Sequence, residues 1–211
     1  MKLATELYTK QVTSWPQTGK QILGQFDDDS FVVYQAYNTE IGRYATTHNA
    51  FGGPFKLDRM SWIKPNFLWM MYRCGWGTKN EQEVVLAVSL HRSAFESIVA
   101  QAVHSTFVPE LYSSEREWKQ ALATSEVRLQ WDPDHDPSGA KVERHALQLG
   151  LSGETLAQYA HNWIVDIEDI SAFVRQQKEN AHTTPYTQLV MPKEEVYPLH
   201  DVKLAARLGL S

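Results

Sequence analysis

"EVVLAVSL", Glu83 to Leu90, is a near-continuous run of apolar and β-branched residues. A run of this length predicts a central strand buried on both faces. Close behind it, "SAFESIVAQAV" (93–103) predicts a helix, with Ser93 and Glu96 at the spacing of a capping box. A buried strand followed at once by a helix sets the class, and the flanking sequence extends it. Upstream, "FVVYQAY", Phe31 to Tyr37, is aromatic and β-branched and predicts a second strand. Asn38 is placed to cap a helix over "TEIGRYATTHNAF", which "GGP" (52–54) breaks.

Downstream, "SEREWKQALA" predicts a helix and the alternating "EVRLQW" a strand. "DPDHDPSG" is rich in turn formers and reads as a loop. "VERHALQLGL" is a strand candidate, "ETLAQYAHNWI" and "SAFVRQQKENA" are helical, and "IVDIEDI" fits either type. The order is not a clean βαβ alternation. The expected fold is therefore α+β, one domain over 1–211 with a mixed, mostly antiparallel sheet flanked by helices. The polar residues 1–30, ending in "DDDS", read as an N-terminal arm. Residues 181–211 read as an irregular C-terminal extension with a short last helix at "DVKLAARLGL".

Composition narrows the function classes. The chain has 211 residues, 43% of them hydrophobic and 21% charged, enough for a sizeable core. A formal net charge of -5 excludes a protein that coats nucleic acid with general basicity, so any such binding needs a local patch. The single cysteine, Cys74, forms no internal disulfide and suits a reducing compartment. The N-terminus has no apolar core of a signal peptide, and no run reaches the length of a membrane span, so a cytoplasmic location without a membrane partner is expected. Walker loops, GxGxxG and zinc-ligand spacings are missing from the sequence.

The chemistry concentrates in "RMSWIKPNFLWMMYRCGWG", Arg59 to Gly77, which holds three of the seven tryptophans. "RMSWIK" is expected to be extended, because Lys64 precedes a proline. Pro65 suits the first helical turn, and "NFLWMMYR" then forms a helix that Gly75 stops. That helix is apolar nearly all round, which predicts burial on most sides. Arg59, Lys64, Arg73 and Lys79 frame the segment with groups that bind phosphate or carboxylate. Trp62, Trp76 and Tyr72 are suited to stack on a base or nicotinamide ring. Arg59, Trp62 and Lys64 are expected to form one wall of an anionic-ligand pocket, which requires a bend before Pro65. Arg144 and Gln148, on one face of "VERHALQLGL", are candidates for the opposite wall, and Gln35 and Tyr37 share a face of "VYQAY". Asp132, Asp134, His135 and Asp136 alternate like calcium ligands, but Pro137 stands where an EF-hand needs glycine. They read as a stiff acidic turn, and no metal site is assigned.

"VYQAYN", the tryptophan-rich motif and "LQWDPDHDPSG…RHALQLGLSGE" together resemble the bacterial and eukaryotic family catalogued as domain of unknown function 4291. The likeness covers about residues 31–175 and implies one domain without naming an activity. A looser likeness is to ADP-ribosyltransferase-type folds. It implies a catalytic role for Tyr34 and Glu168, an aromatic clamp that includes Tyr37, and NAD as cofactor.

Three functions follow from these features. One is an enzyme acting on a nucleotide or nucleic acid, with cations on the phosphates and Glu168 as the acid. Another is a non-catalytic module for RNA or single-stranded DNA. The third is an adaptor that uses the tryptophan-rich surface to bind protein.

Overall fold

The protein is described by a computed structural model over residues 3–211. Its first elements are β1 (Thr5–Leu7), α1 (Tyr8–Gln11), β2 (Gly19–Lys20), β3 (Leu23–Gly24), β4 (Ser30–Tyr37) and α2 (Thr39–His48). Next come β5 (Ser61–Ile63), α3 (Phe67–Cys74), β6 (Val84–His91), α4 (Arg92–Gln101), β7 (Val103–His104) and α5 (Glu115–Thr124). The chain continues through β8 (Val127–His135), β9 (Lys141–Leu151), α6 (Gly153–His161), β10 (Ile164–Asp169) and α7 (Ser171–Ala181). It ends with β11 (Val190–Pro192), β12 (Glu195–Val196) and α8 (Val202–Leu208). The fold is α+β, and most strand pairs are antiparallel.

The continuous apolar run of β6 has a direct cause. β6 is the middle strand of an antiparallel sheet in the order β10-β6-β4, and both faces of that sheet are covered. Phe31 and Val33 of β4 join Leu86, Val88 and Leu90 of β6 in one core, with Phe95 and Ile98 of α4. The alternate residues, Val32, Tyr34, Val85 and Ala87, enter a second core with Phe67, Met71 and Val174 from α3 and α7. Period-two alternation thus feeds two cores at once.

The second sheet runs β2-β9-β8-β7, with β5 also paired to β9. β8 and β9 form a long hairpin whose register runs from Val127↔Leu151 to His135↔Lys141, with a shift between Pro133 and His135. "DPDH" is therefore strand, not loop. Cross-strand partners hold its aspartates, and the bulge accommodates the proline. The turn is confined to residues 136–140, where Asp136 Oδ1 accepts from the Ser138 and Ala140 amides at 2.9 and 3.0 Å.

The short segment 61–64 sews the two sheets together. Ser61 to Ile63 pair with Leu151 to Leu149 of β9. Lys64 then changes partner: its carbonyl accepts from the Tyr34 amide at 2.7 Å, and its amide donates to the Tyr34 carbonyl at 3.2 Å. This change of partner is the bend ahead of Pro65. Pro65 itself does not open α3. Asn66 is the N-cap, with Oδ1 accepting from the Trp69 amide at 2.8 Å, so the proline precedes the cap. Phe67 to Met71 are all buried, and Gly75 ends the helix with φ 59°.

The Ser93–Glu96 capping box does not form. α4 starts at Arg92 with His91 at the N-cap, so Ser93 lies inside the helix, and the Glu96 carboxylate accepts from the Tyr197 hydroxyl. "IVDIEDI" resolves as strand β10 on the edge of the first sheet. Segments from the first and last parts of the described chain are tied in. β1 pairs with β11, β3 pairs with β12, and Trp15, Ile22 and Leu23 are buried. Among the described residues, no helix is long and apolar enough to cross a membrane.

Candidate functional site

A cavity of about 510 Å³ opens where the end of β4, the loop before β5, Lys64 and α3 meet. Its cationic lining is Lys56, Arg59, Lys64 and Arg73, and its aromatic lining is Tyr37, Phe55 and Trp62. Glu81 is its one acidic lining residue, and Glu81 Oε2 already accepts from Asn38 Nδ2 at 2.7 Å. Strand geometry explains the grouping. Trp62 and Lys64 lie on the same side of the segment by period two, while Ile63 points into the core. Arg59 joins them from the irregular chain ahead of β5. Trp62 is paired with Gly150, where the missing side chain leaves room for its indole.

Lys64 is the unusual member. It is 6% exposed, its Nζ donates to the Trp62 carbonyl at 3.1 Å, and it lies 5.9 Å from the Trp69 ring centroid. Burial, and secondarily the charge of Arg73, pull its pKa down to about 7, while Asp132 opposes the shift. Asp132 is held by two amides, from Gln130 Nε2 at 2.8 Å and Gln148 Nε2 at 2.5 Å. Gln148 thus reaches the site through Asp132 and does not line the cavity.

The back of the cavity is a polar network. Gln35 Nε2 donates to Tyr37 Oη at 2.7 Å and to Ser61 Oγ at 2.9 Å, and those two hydroxyls are 2.8 Å apart. The buried Tyr159 hydroxyl donates to Gln35 Oε1 at 2.6 Å and so orients the amide. Burial pushes the Tyr37 phenol far upward, against the Ser61 hydrogen bond and the charge of Arg59. The network fixes hydroxyl and amide groups in a wall whose other members are cations and rings.

The remaining sequence candidates lie elsewhere. Tyr34 is fully buried in the second core against Phe67, and its hydroxyl has no hydrogen-bond partner. Glu168 is exposed on β10 and does not line the cavity. Trp76 packs edge-on against Phe67 at 5.9 Å. Lys79 Nζ donates to the Arg73 carbonyl at 2.7 Å and caps the end of α3. Arg144 Nε donates to Asp134 Oδ2 at 2.6 Å in a buried pair, with its guanidinium over the Trp15 ring. Among the described residues, no three His, Cys, Asp or Glu side chains gather as a metal site.

A profile of the family described as Domain of unknown function (DUF4291) matches residues 21–197. The chain belongs to the DUF4291 family. No curated protein matches it. The family description names no activity, so the DUF4291 site must be read from its geometry. The matched span contains every residue that lines the cavity. Lys56, Phe55, Asn38 and Ser61 are lining residues that sequence reasoning did not select. Ser61 sits inside the quoted motif, yet a serine in a strand carries no distinguishing local signal. Lys56 and Phe55 belong to a loop whose approach to β4 depends on the tertiary fold.

Proposed function

We propose that the cavity binds a small phosphate-bearing ligand with an aromatic ring, of which a nucleotide is the best-fitting class. One observation carries this reading: two arginines, two lysines and three aromatic residues share a cavity that has a single acid, in a chain of net charge -5. Positive charge gathered against the overall balance favours an anion, and planar guanidinium groups match phosphate. Tyr37, Phe55 and Trp62 offer faces for a base. The volume lies within the ordinary range for small-molecule sites.

The lining favours recognition over ADP-ribosyl transfer from NAD. Neither Glu168 nor Tyr34 is among the lining residues, and Glu81 is the carboxylate nearest to such a role. Thermal unfolding with inorganic phosphate, AMP, ADP, NAD or a short single-stranded RNA tests the reading. The mononucleotides should raise Tm, and Arg59→Ala and Arg73→Ala, both at exposed positions, should remove the shift without lowering the unliganded Tm. A shift confined to RNA would move the assignment to a nucleic-acid module. No shift with any probe would end it.

A further inference from the structure

The cavity holds two amines, and they differ in kind. Lys56 is exposed, whereas Lys64 is 6% exposed and lines the cavity from its buried side. Lys64 has no ion-pair partner among the described residues. Its one acceptor is the Trp62 carbonyl at 3.1 Å. Its backbone is fixed in both directions by Tyr34, so the side chain springs from a rigid point. The two arginines of the cavity lining, Arg59 and Arg73, carry guanidinium groups that hold anions but do not act as nucleophiles.

We propose that Lys64 is a covalent amine, which condenses with the carbonyl of a phosphate-bearing aldehyde or ketone while Arg59 and Arg73 hold the phosphate. The proposal rests on the phosphate-binding reading of the same cavity and adds a reaction to it. The Nζ lone pair attacks the carbonyl carbon, and the carbon–oxygen π pair moves to oxygen. That oxygen takes both nitrogen hydrogens in turn and leaves as water. A carbon–nitrogen double bond remains, and nothing is oxidised or reduced. Lysines that do this chemistry are desolvated or set beside another cation, and Lys64 is both. The imine nitrogen then takes a proton from solvent, and the charge of Asp132, held by Gln130 and Gln148, stabilises the resulting cation.

The test uses the full chain with pyridoxal 5′-phosphate, an aromatic aldehyde phosphate, followed by borohydride reduction and peptide mapping. Lys64 should be labelled to one equivalent, at least about tenfold faster than any surface lysine, since a neutral amine is the nucleophile and an ordinary lysine side chain has a reference pKa of about 10.4. Excess AMP should suppress that label, and Lys64→Arg should abolish it. Mapping of the unaltered chain decides the matter even if the variant fails to fold. Label spread over surface lysines, with Lys64 unmodified, overturns the proposal. The AMP thermal shift separates the two claims. A shift without a Lys64 adduct removes the amine role alone, and the loss of both removes the phosphate reading as well.

Discussion

Lys64 and Tyr34 exchange backbone hydrogen bonds of 2.7 and 3.2 Å in an isolated bridge that joins the two sheets. Tyr34 therefore serves the cavity through its backbone, while its side chain serves the core. Its hydroxyl is buried without a partner, and burial, followed by the charge of Glu194, pushes the phenol well above its usual range. Tyr34→Phe should raise stability by about 1 kcal/mol, because an unsatisfied polar group leaves the core. Ligand-induced thermal shifts should be unchanged. A variant that folds normally but no longer responds to ligand would show that the Tyr34 hydroxyl takes part in binding.

The depressed pKa of Lys64 makes stability depend on pH, with a definite sign. With a folded value of about 7, the native amine is neutral above that pH, whereas the unfolded lysine keeps its proton to about 10.4. Between these limits the unfolded state binds the extra proton, so this group's contribution makes the protein more stable as pH rises. The charged groups acting on it are Arg73, which repels the proton, and Asp132, which retains it, with Cys74 a smaller influence. Lys64→Met should lack this dependence. The stability difference between variant and parent should change by about 1.4 kcal/mol per pH unit from pH 7.5 to 9, in favour of the parent. Urea unfolding at several pH values measures it, and parallel curves would show that the amine titrates normally.

Arg144 and Asp134 form an ion pair with side-chain exposures of 5% and 1%. Burial pushes the aspartate upward, and the charge of Arg144 opposes this. Removing either partner strands a buried charge. Arg144→Met alone should cost about 3–5 kcal/mol, whereas Arg144→Met with Asp134→Leu should recover most of that loss. Denaturant unfolding of these two variants and of Asp134→Leu alone closes the cycle. Equal losses in single and double variants would mean that the pair itself supplies the stability.

Local pattern made much of this fold legible. The apolar run of β6 and the aromatic run of β4 predict their burial, because period-two alternation is a property of the chain itself. The grouping of Arg59, Trp62 and Lys64 was also within reach, since all three belong to one six-residue stretch. Long-range pairing hid the rest. "DPDH" looks like a loop until Gln148 and Arg144, 16 and 10 residues downstream, supply hydrogen bonds to Asp132 and Asp134. The same pairing takes Arg144 out of the cavity. The buried Glu194 accepts from the Phe67 amide at 2.6 Å across a separation of 127 residues, and nothing near either residue announces it.

Gly150 offers a way to disturb the aromatic wall from behind. It pairs with Trp62 across β5 and β9, and its φ is not in the left-handed region, so the backbone accepts alanine. A Cβ there would lie 2.6 Å from Met60 Sδ and 3.0 Å from two atoms of the Trp62 indole. The methionine end can swing aside at little cost, but the indole moves only as a rigid plate. Crowding of this kind costs about 1–3 kcal/mol, offset by about 0.4–1 kcal/mol from the reduced freedom of the unfolded chain. Gly150→Ala should therefore lower stability by about 1 kcal/mol while displacing a ring that lines the cavity. If Trp62 stacks on a base, AMP should bind more weakly to this variant, and inorganic phosphate, which needs only the cations, should bind as before. Calorimetric titration of both probes separates the two contributions. Equal weakening would place the effect on the cations, and unchanged AMP affinity would show that the Trp62 face does not contact the ligand.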